Sequence, residues 1–352
     1  MANFTTINKS TDFFNTVLYT GNGTAIGSGG NAITGVGHQP DLVWIKSRGA
    51  TEEHVVTDSV RGVTKTLKTN ATAAEYTSSE GLNTFGSDGF TVGNSDQFNT
   101  NSGNYVSWNW KGGTTSGITT NGSTTITPSA YSFNATSGVA CLLYTGNGTA
   151  GAKLAHGMGK TPKFFMVKRQ NDASESWTGY HVGLGATKFI SLNGDGAAGT
   201  ATNRWNDTAP DSVNITLGSE GSVNSSGNPL ICYAFCEVAG FSSIGYYIGN
   251  GSTNGCKVWT GMKPSFILLK DTGTNAWYLM DNKRNGYNYM NKGLIPSQNA
   301  SEQSEDYGAD FLATGFKCRT SDGWSNGNNL TYLYMAFGQT IVGTNNVCAT
   351  AR

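Results

Sequence analysis

An aspartate and an arginine three residues apart occur twice in matching surroundings, Asp58 with Arg61 in DSVRG and Asp281 with Arg284 in DNKRN. A carboxylate beside a guanidinium fixes a loop through a bidentate pair, or works as a general acid when a second carboxylate stands across the bond to be broken. No second carboxylate recurs with the pair, so a structural ion pair is the expected role. Four residues before each aspartate position stand His54, Trp177 and Trp277 in three corresponding places, and in the middle one the aspartate and arginine positions hold His181 and Leu184. An indole beside Asn- and Asp-rich loops packs on the apolar face of a sugar while loop amides bind its hydroxyls, which makes these three residues candidate glycan contacts. The competing role for them is to cover the end of a core.

Other constellations carry less. The histidines His38, His54, His156 and His181 share no alignment and no metal-ligand spacing. Cys141, Cys232, Cys236, Cys256, Cys318 and Cys348 do not correspond between the repeats described below, as a disulfide framework or zinc site of the repeated unit would. Cys232 and Cys236 share a face of a strand but stand about 13 Å apart by strand rise, so reduced thiols packed as small hydrophobes are expected. The Gly-Ser-Gly-Gly at 27–30 lacks a phosphate-binding lysine, and no HExxH or nucleophile elbow is present. No cofactor, metal or catalytic residue is expected.

The elements that position these residues are written three times. Tyr19-Thr20-Gly21-Asn22-Gly23-Thr24 returns as Tyr144-Thr145-Gly146-Asn147-Gly148-Thr149 and as Tyr247-Ile248-Gly249-Asn250-Gly251-Ser252. Each opening leads to a proline and a lysine-capped apolar run, PDLVWIK from Pro40, PKFFMVK from Pro162 and PSFILLK from Pro264. Each copy closes on an apolar strand ending at Trp110, Phe235 or Phe337, after 92, 92 and 91 residues. A period of this length without helical patterning predicts an all-β chain of three tandem β-sandwich, jelly-roll-like repeats. The expected division is an arm at 1–16, repeat 1 at 17–111, a Thr/Ser/Gly-rich linker or edge strand at 112–138, repeat 2 at 139–238, repeat 3 at 239–338 and a tail at 339–352 anchored by Ile341, Val342 and Val347. The long first junction predicts that repeat 1 is the freer one and that repeats 2 and 3 are held together.

Two strand types differ in their periodicity. The closing strands alternate, with Trp108 and Trp110, Tyr233 and Phe235, and Met335 and Phe337 on one face. The proline strands do not alternate, which predicts cover on both faces: the repeat's own second sheet on one, a neighbouring repeat, a loop or another subunit on the other.

Only 13% of the 352 residues are charged, with 23 basic against 23 acidic, so electrostatic attraction to nucleic acid is not expected. Neither a cleavable signal at Met1–Phe14 nor an apolar run long enough to insert in a membrane is read from the sequence.

The phrase ANFTTINKSTDFFNTVLYTGNGT, the block QPDLVWIKSR, DSVRGVTKTLKTN with FGSDGFTVG, and the close YVSWNWKGGT together resemble three-repeat, tail-fibre-like virion structural proteins of marine tailed bacteriophages, cyanophages and pelagiphages among them. The resemblance covers nearly the whole chain. It implies a β-sandwich protein carried on a virus particle and brings no catalytic residues with it. The expected role is a non-enzymatic surface component assembled in a host cytoplasm, with other virion proteins, further copies of itself and a host surface glycan as its partners. The roles it leaves open are tail fibre or receptor binding, capsid decoration, and, most remotely, polysaccharide depolymerisation.

Overall fold

The opening phrase folds into the same device three times in the computed structural model, which describes residues 5–340. The opening strands are Phe14–Thr20, Val139–Thr145 and Ser242–Ile248. Beyond each strand the first glycine of the Gly-Asn-Gly turn lies so close to the chain ahead of the closing strand that a Cβ would meet a carbonyl oxygen, at 2.1 Å for Gly21 and 2.3 Å for both Gly146 and Gly249. The second glycine adopts positive φ, +64°, +70° and +61°. The asparagine between them pairs reciprocally with a buried asparagine 77, 77 and 76 residues on, Asn22 with Asn99, Asn147 with Asn224 and Asn250 with Asn326. The opening tyrosine donates its hydroxyl to the same region, Tyr19 to Phe98 O, Tyr144 to Val223 O and Tyr247 to Ser325 O. The repeated phrase is therefore a clamp that ties the start of each repeat to its end.

In every repeat the large sheet has one antiparallel order: opening strand, closing strand, proline strand, then the strand carrying the Asp58, His181 or Asp281 position. The closing strands are Asn104–Trp110, Pro229–Cys236 and Thr331–Gln339, and the proline strands are Leu42–Ser47, Pro162–Arg169 and Lys263–Asp271. Smaller sheets complete each sandwich: residues 31–33, 82–86 and 89–92 in repeat 1, Ala152–Ala155 with Asn214–Leu217 in repeat 2, and a four-stranded sheet in repeat 3. The all-β expectation holds.

The proline strands are buried on both faces, as their unbroken apolar runs require. Val43 and Ile45, Phe165 and Val167, and Ile267 and Leu269 face the core of their own sandwich. Leu42 and Trp44, Phe164 and Met166, and Phe266 and Leu268 enter one core shared by all three repeats. At its centre the three closing aromatics touch pairwise: ring centroids lie 6.0 Å apart for Trp110 and Phe235, 6.1 Å for Phe235 and Phe337, and 5.9 Å for Trp110 and Phe337. The three repeats thus surround a pseudo-threefold axis as one body.

One expectation is corrected. Repeat 1 is not the freer one, because Trp44, Trp108 and Trp110 sit in the shared core with the same depth as their counterparts. Of the two alternatives for segment 112–138, the edge strand is the one found, since Ala130–Asn134 pairs with the opening strand of repeat 2. The opening strand of repeat 1 also begins inside the expected arm, at Phe14, and Ile7 joins the shared core. Cys141, Cys232, Cys236 and Cys318 are buried thiols and Cys256 is half-buried, while Cys348, Ile341, Val342 and Val347 lie outside the described residues.

The shared core makes the repeats interdependent. A fragment of residues 139–238 exposes Phe164, Met166, Tyr233 and Phe235, and it is expected to self-associate or to lose its cooperative melt, whereas the whole chain melts in one transition. Circular dichroism and sedimentation check this; a monomeric fragment with a sharp melt would show that the shared core is dispensable.

Candidate functional site

The Asp–Arg pairs form as expected and are saturated. Asp58 Oδ1 accepts from the amides of Val60 and Arg61 at 3.0 and 2.8 Å, and Asp281 Oδ1 from those of Lys283 and Arg284, both at 3.0 Å. Each Oδ2 accepts the arginine Nε, at 2.5 Å from Arg61 and 2.6 Å from Arg284. A fourth donor arrives from the next repeat around the ring, the Tyr233 hydroxyl on Asp58 at 2.6 Å and the Trp108 indole on Asp281 at 3.2 Å. Both guanidiniums continue to a glutamate, Glu75 or Glu302, and to a backbone carbonyl. A carboxylate so occupied and buried holds two repeats together.

The exception in repeat 2 follows from the same ring. The residue facing its aspartate position is Met335, which has no hydrogen to donate. His181 replaces the carboxylate and bonds to Tyr334 O at 3.2 Å, and Leu184 replaces the arginine and packs against the shared core. Burial pushes the His181 imidazole down to about 4, so it stays neutral in this apolar seat.

The expected glycan contacts are not on the surface. Trp177 and Trp277 are 0% and 3% exposed, and each indole donates across a junction at 2.8 Å, Trp177 to Lys68 O of repeat 1 and Trp277 to Ser191 O of repeat 2. His54 is fully buried, accepting from the Trp44 indole at 3.2 Å. Trp177 and Trp277 are seams between repeats and His54 packs within repeat 1, so none of the three is a sugar platform. Their indoles are as apolar as a sugar site needs, but the second face that would meet a sugar meets another repeat.

The lysines that cap the proline strands are also buried. Lys46 donates to Ser47 O and Ala50 O, Lys168 to Arg169 O and Asp172 O, and Lys270 to Asp271 O, its carboxylate and Gly273 O, all within 3.0 Å. Each ammonium thus gathers the turn that follows its strand. Burial pushes Lys46 and Lys168 down to about 8.

Exposed aromatic rings concentrate in repeat 3. Tyr287 is 79% exposed and Tyr289 38%, both in the hairpin loop after Asp281. Beside them the loop 319–330 forms a cleft of about 690 Å³ lined by Tyr289, Tyr307, Arg319, Thr320, Ser321 and Asp322, with Thr253 and Gly323. Behind its wall, Tyr307 stacks on Trp324 at 5.2 Å with planes 5° apart, and Tyr278 meets both edge-on. The loop is held by Asp322, whose carboxylate accepts the Trp324 amide at 2.8 Å, and by the Arg319 amide, which donates to Gly308 O at 3.0 Å. The Arg319 side chain remains 44% exposed with Asp310 at 3.5 Å. An aromatic wall with an arginine, a carboxylate and the hydroxyls of Thr253, Thr320 and Ser321 fits a polar ligand that has an apolar face. Sequence reasoning misses these residues because none recurs in the other repeats, and recurrence is the signal that marks a position in a threefold repeated chain.

Fold and site describe an all-β protein of three fused sandwiches with an aromatic, polar cleft on the third. The chain belongs to a family described as a domain of unknown function (DUF7483), whose model matches residues 9–340, all three repeats together. No curated protein and no solved structure matches.

Two outcomes follow. His181→Asp places an unpaired carboxylate against Met335 and is expected to cost about 3–5 kcal/mol, read from denaturant midpoints; adding Leu184→Arg and Met335→Tyr should recover most of it. For Lys46, the folded value near 8 lies below the ordinary 10.5, so between these values the unfolded chain binds more protons and the lysine's contribution to stability rises with pH. The stability of the wild-type chain relative to Lys46→Met should therefore grow between about pH 8 and 10, measured by urea unfolding at each pH.

Proposed function

We propose that this chain is a non-enzymatic structural protein on the surface of a bacteriophage particle, a tail-fibre or receptor-binding component whose third repeat takes a host glycan. The cleft of Tyr289, Tyr307, Arg319 and Asp322 carries this reading, because a sugar ring stacks on an exposed phenol while its hydroxyls bond to guanidinium and carboxylate. The saturation of Asp58 and Asp281 supports a role without catalysis. The resemblance of the opening and closing phrases to marine-phage virion proteins supports the location on a virion, assembled with other particle proteins and with further copies of itself.

A second reading, capsid decoration, is favoured by the pseudo-threefold body, since a ring of three alike domains matches a threefold position on a shell. Immunogold labelling of intact particles separates the two, with label on the tail supporting the first and label over the shell the second. The glycan contact is tested with host surface polysaccharide: Tyr289→Ala and Arg319→Ala should each weaken binding at least tenfold while the melting temperature stays within a few degrees. Trp177→Ala should instead cost about 3–5 kcal/mol of stability and leave binding per folded molecule unchanged.

A further inference from the structure

The ring closes with three alike junctions, and the chain seals one of them with a segment of its own. Between the closing strand of repeat 1 and the opening strand of repeat 2 run residues 111–138, and they cover two sheet edges at once. Ala130–Asn134 pairs antiparallel with the opening strand Val139–Thr145, from Ala130 opposite Leu143 to Asn134 opposite Val139. Farther back, Ile126 bridges to Leu154 in the smaller sheet, its amide donating to Lys153 O at 2.9 Å while its carbonyl accepts from Ala155 at 3.1 Å. Ile126 and Phe133, 6% and 7% exposed, complete the core of repeat 2.

In repeat 3 the same two edges carry no such segment among the described residues. Its opening strand Ser242–Ile248 and its smaller-sheet strand Lys257–Trp259 are each the last strand of their sheets. Only five residues, 237–241, precede the opening strand, too few to double back along it. Alternation from the closing-strand pairing turns the main-chain groups of Ser242, Ile244, Tyr246 and Ile248 outward. The first two amides are occupied within the chain, Ser242 by Val238 O at 2.9 Å and Ile244 by the Glu237 carboxylate at 3.0 Å. Tyr246 holds the position of Leu143, whose carbonyl in repeat 2 accepts from Ser129 at 2.8 Å. Here the side chains are bare: Tyr246 is 60% exposed, Ile248 58% and Trp259 67%, with Val182 of repeat 2 at 41%. Val182, Tyr246 and Trp259 line a groove of about 740 Å³, with the half-exposed Lys163–Glu237 pair at 2.8 Å in its lining.

We propose that this groove is a docking site for one extended strand of another polypeptide, added antiparallel to Ser242–Ile248 with large apolar side chains at alternate positions. The occupant's chemistry is read from the chain's own segment on the equivalent edges: a Ser/Thr-rich strand that inserts an aliphatic side chain near the smaller sheet and aromatic ones beside the opening strand. Strand addition supplies main-chain bonds to Tyr246 and Ile248, and the exposed Trp259 and Tyr246 side chains supply the pockets that select the sequence. A peptide arriving beyond Tyr246 meets Glu237, so release of the Ile244 amide by this carboxylate sets how far the pairing extends. The site is separate from the Tyr289–Arg319 cleft and does not depend on glycan binding there.

The probe is a synthetic peptide of residues 123–136 added to the intact protein, with a scrambled peptide of the same composition beside it. The peptide is expected to bind at micromolar to sub-millimolar concentration, to shift Trp259 fluorescence and to slow hydrogen exchange at Tyr246 and Ile248. Trp259→Ala and Tyr246→Lys, both at exposed positions, should each weaken it at least tenfold without altering the melt, and Glu237→Gln should strengthen it severalfold. Absence of binding at 1 mM, binding unaffected by both variants, or protection confined to residues 139–145 would overturn the proposal. Concentration-dependent dimerisation that buries Trp259 without peptide would overturn it in favour of a second copy, and Trp259 quenching by host polysaccharide alone would overturn it in favour of a sugar.

Discussion

Burial of the proline strands on both faces is the constraint from which the rest of the structure follows. A strand such as Phe164-Phe165-Met166-Val167 can satisfy one face within its own sandwich, and the other must meet something equally apolar. Three such strands, each beside a closing strand ending in an aromatic, meet that requirement together by turning their second faces to a common axis. Hydrophobic burial has no direction of its own, so the geometry is set by the polar seams around it. Tyr233 on Asp58, Trp108 on Asp281, Trp177 on Lys68 O and Trp277 on Ser191 O each join one repeat to the next in the same rotational sense. Arg48 and Glu302 add a bidentate pair between repeats 1 and 3.

The ring also explains why the repeats diverged where they did. A position that faces a neighbour is matched to that neighbour's residue and not to its own counterpart in sequence. Asp58 and Asp281 have partners that donate; His181 faces Met335 and has lost both the carboxylate and the arginine that accompanied it. Read along the chain, the His181–Leu184 pair looks like decay of a motif. Around the axis it is the complement of a methionine.

Much of the fold was legible in the sequence because it rests on patterns local to each repeat. The glycine turns, the alternating closing strands and the continuous apolar proline strands all have a period that a single copy displays, and the two-sided cover of the last was deducible from Leu42 to Ile45 alone. What was not legible is where the second face goes, since an apolar run is the same whether it meets a loop, a subunit or a repeat. The tryptophans failed for that reason: Trp177 and Trp277 have the composition of a surface platform, and only the ring closure places another repeat on them. The clamping asparagines Asn99, Asn224 and Asn326 were hidden by separation, as nothing within several residues of any one marks it as the partner of a turn more than seventy residues away. The cleft of Arg319 and Tyr289 was hidden by being unique.

Three separate chains arranged about a threefold axis must show every surface three times, because symmetry copies each mutation. Here the copies are joined head to tail in one polypeptide, and that covalent link removes the obligation. A change in repeat 3 stays in repeat 3, so the body can keep a trimer's interior while presenting a different outer face in each direction. The segment 111–138 covers the edges of repeat 2, those of repeat 3 carry no such segment among the described residues, and the exposed aromatic rings also stand on repeat 3. Such a body has a polarity about its axis that a symmetric knob lacks. Fusion has turned a rotor into a pointer.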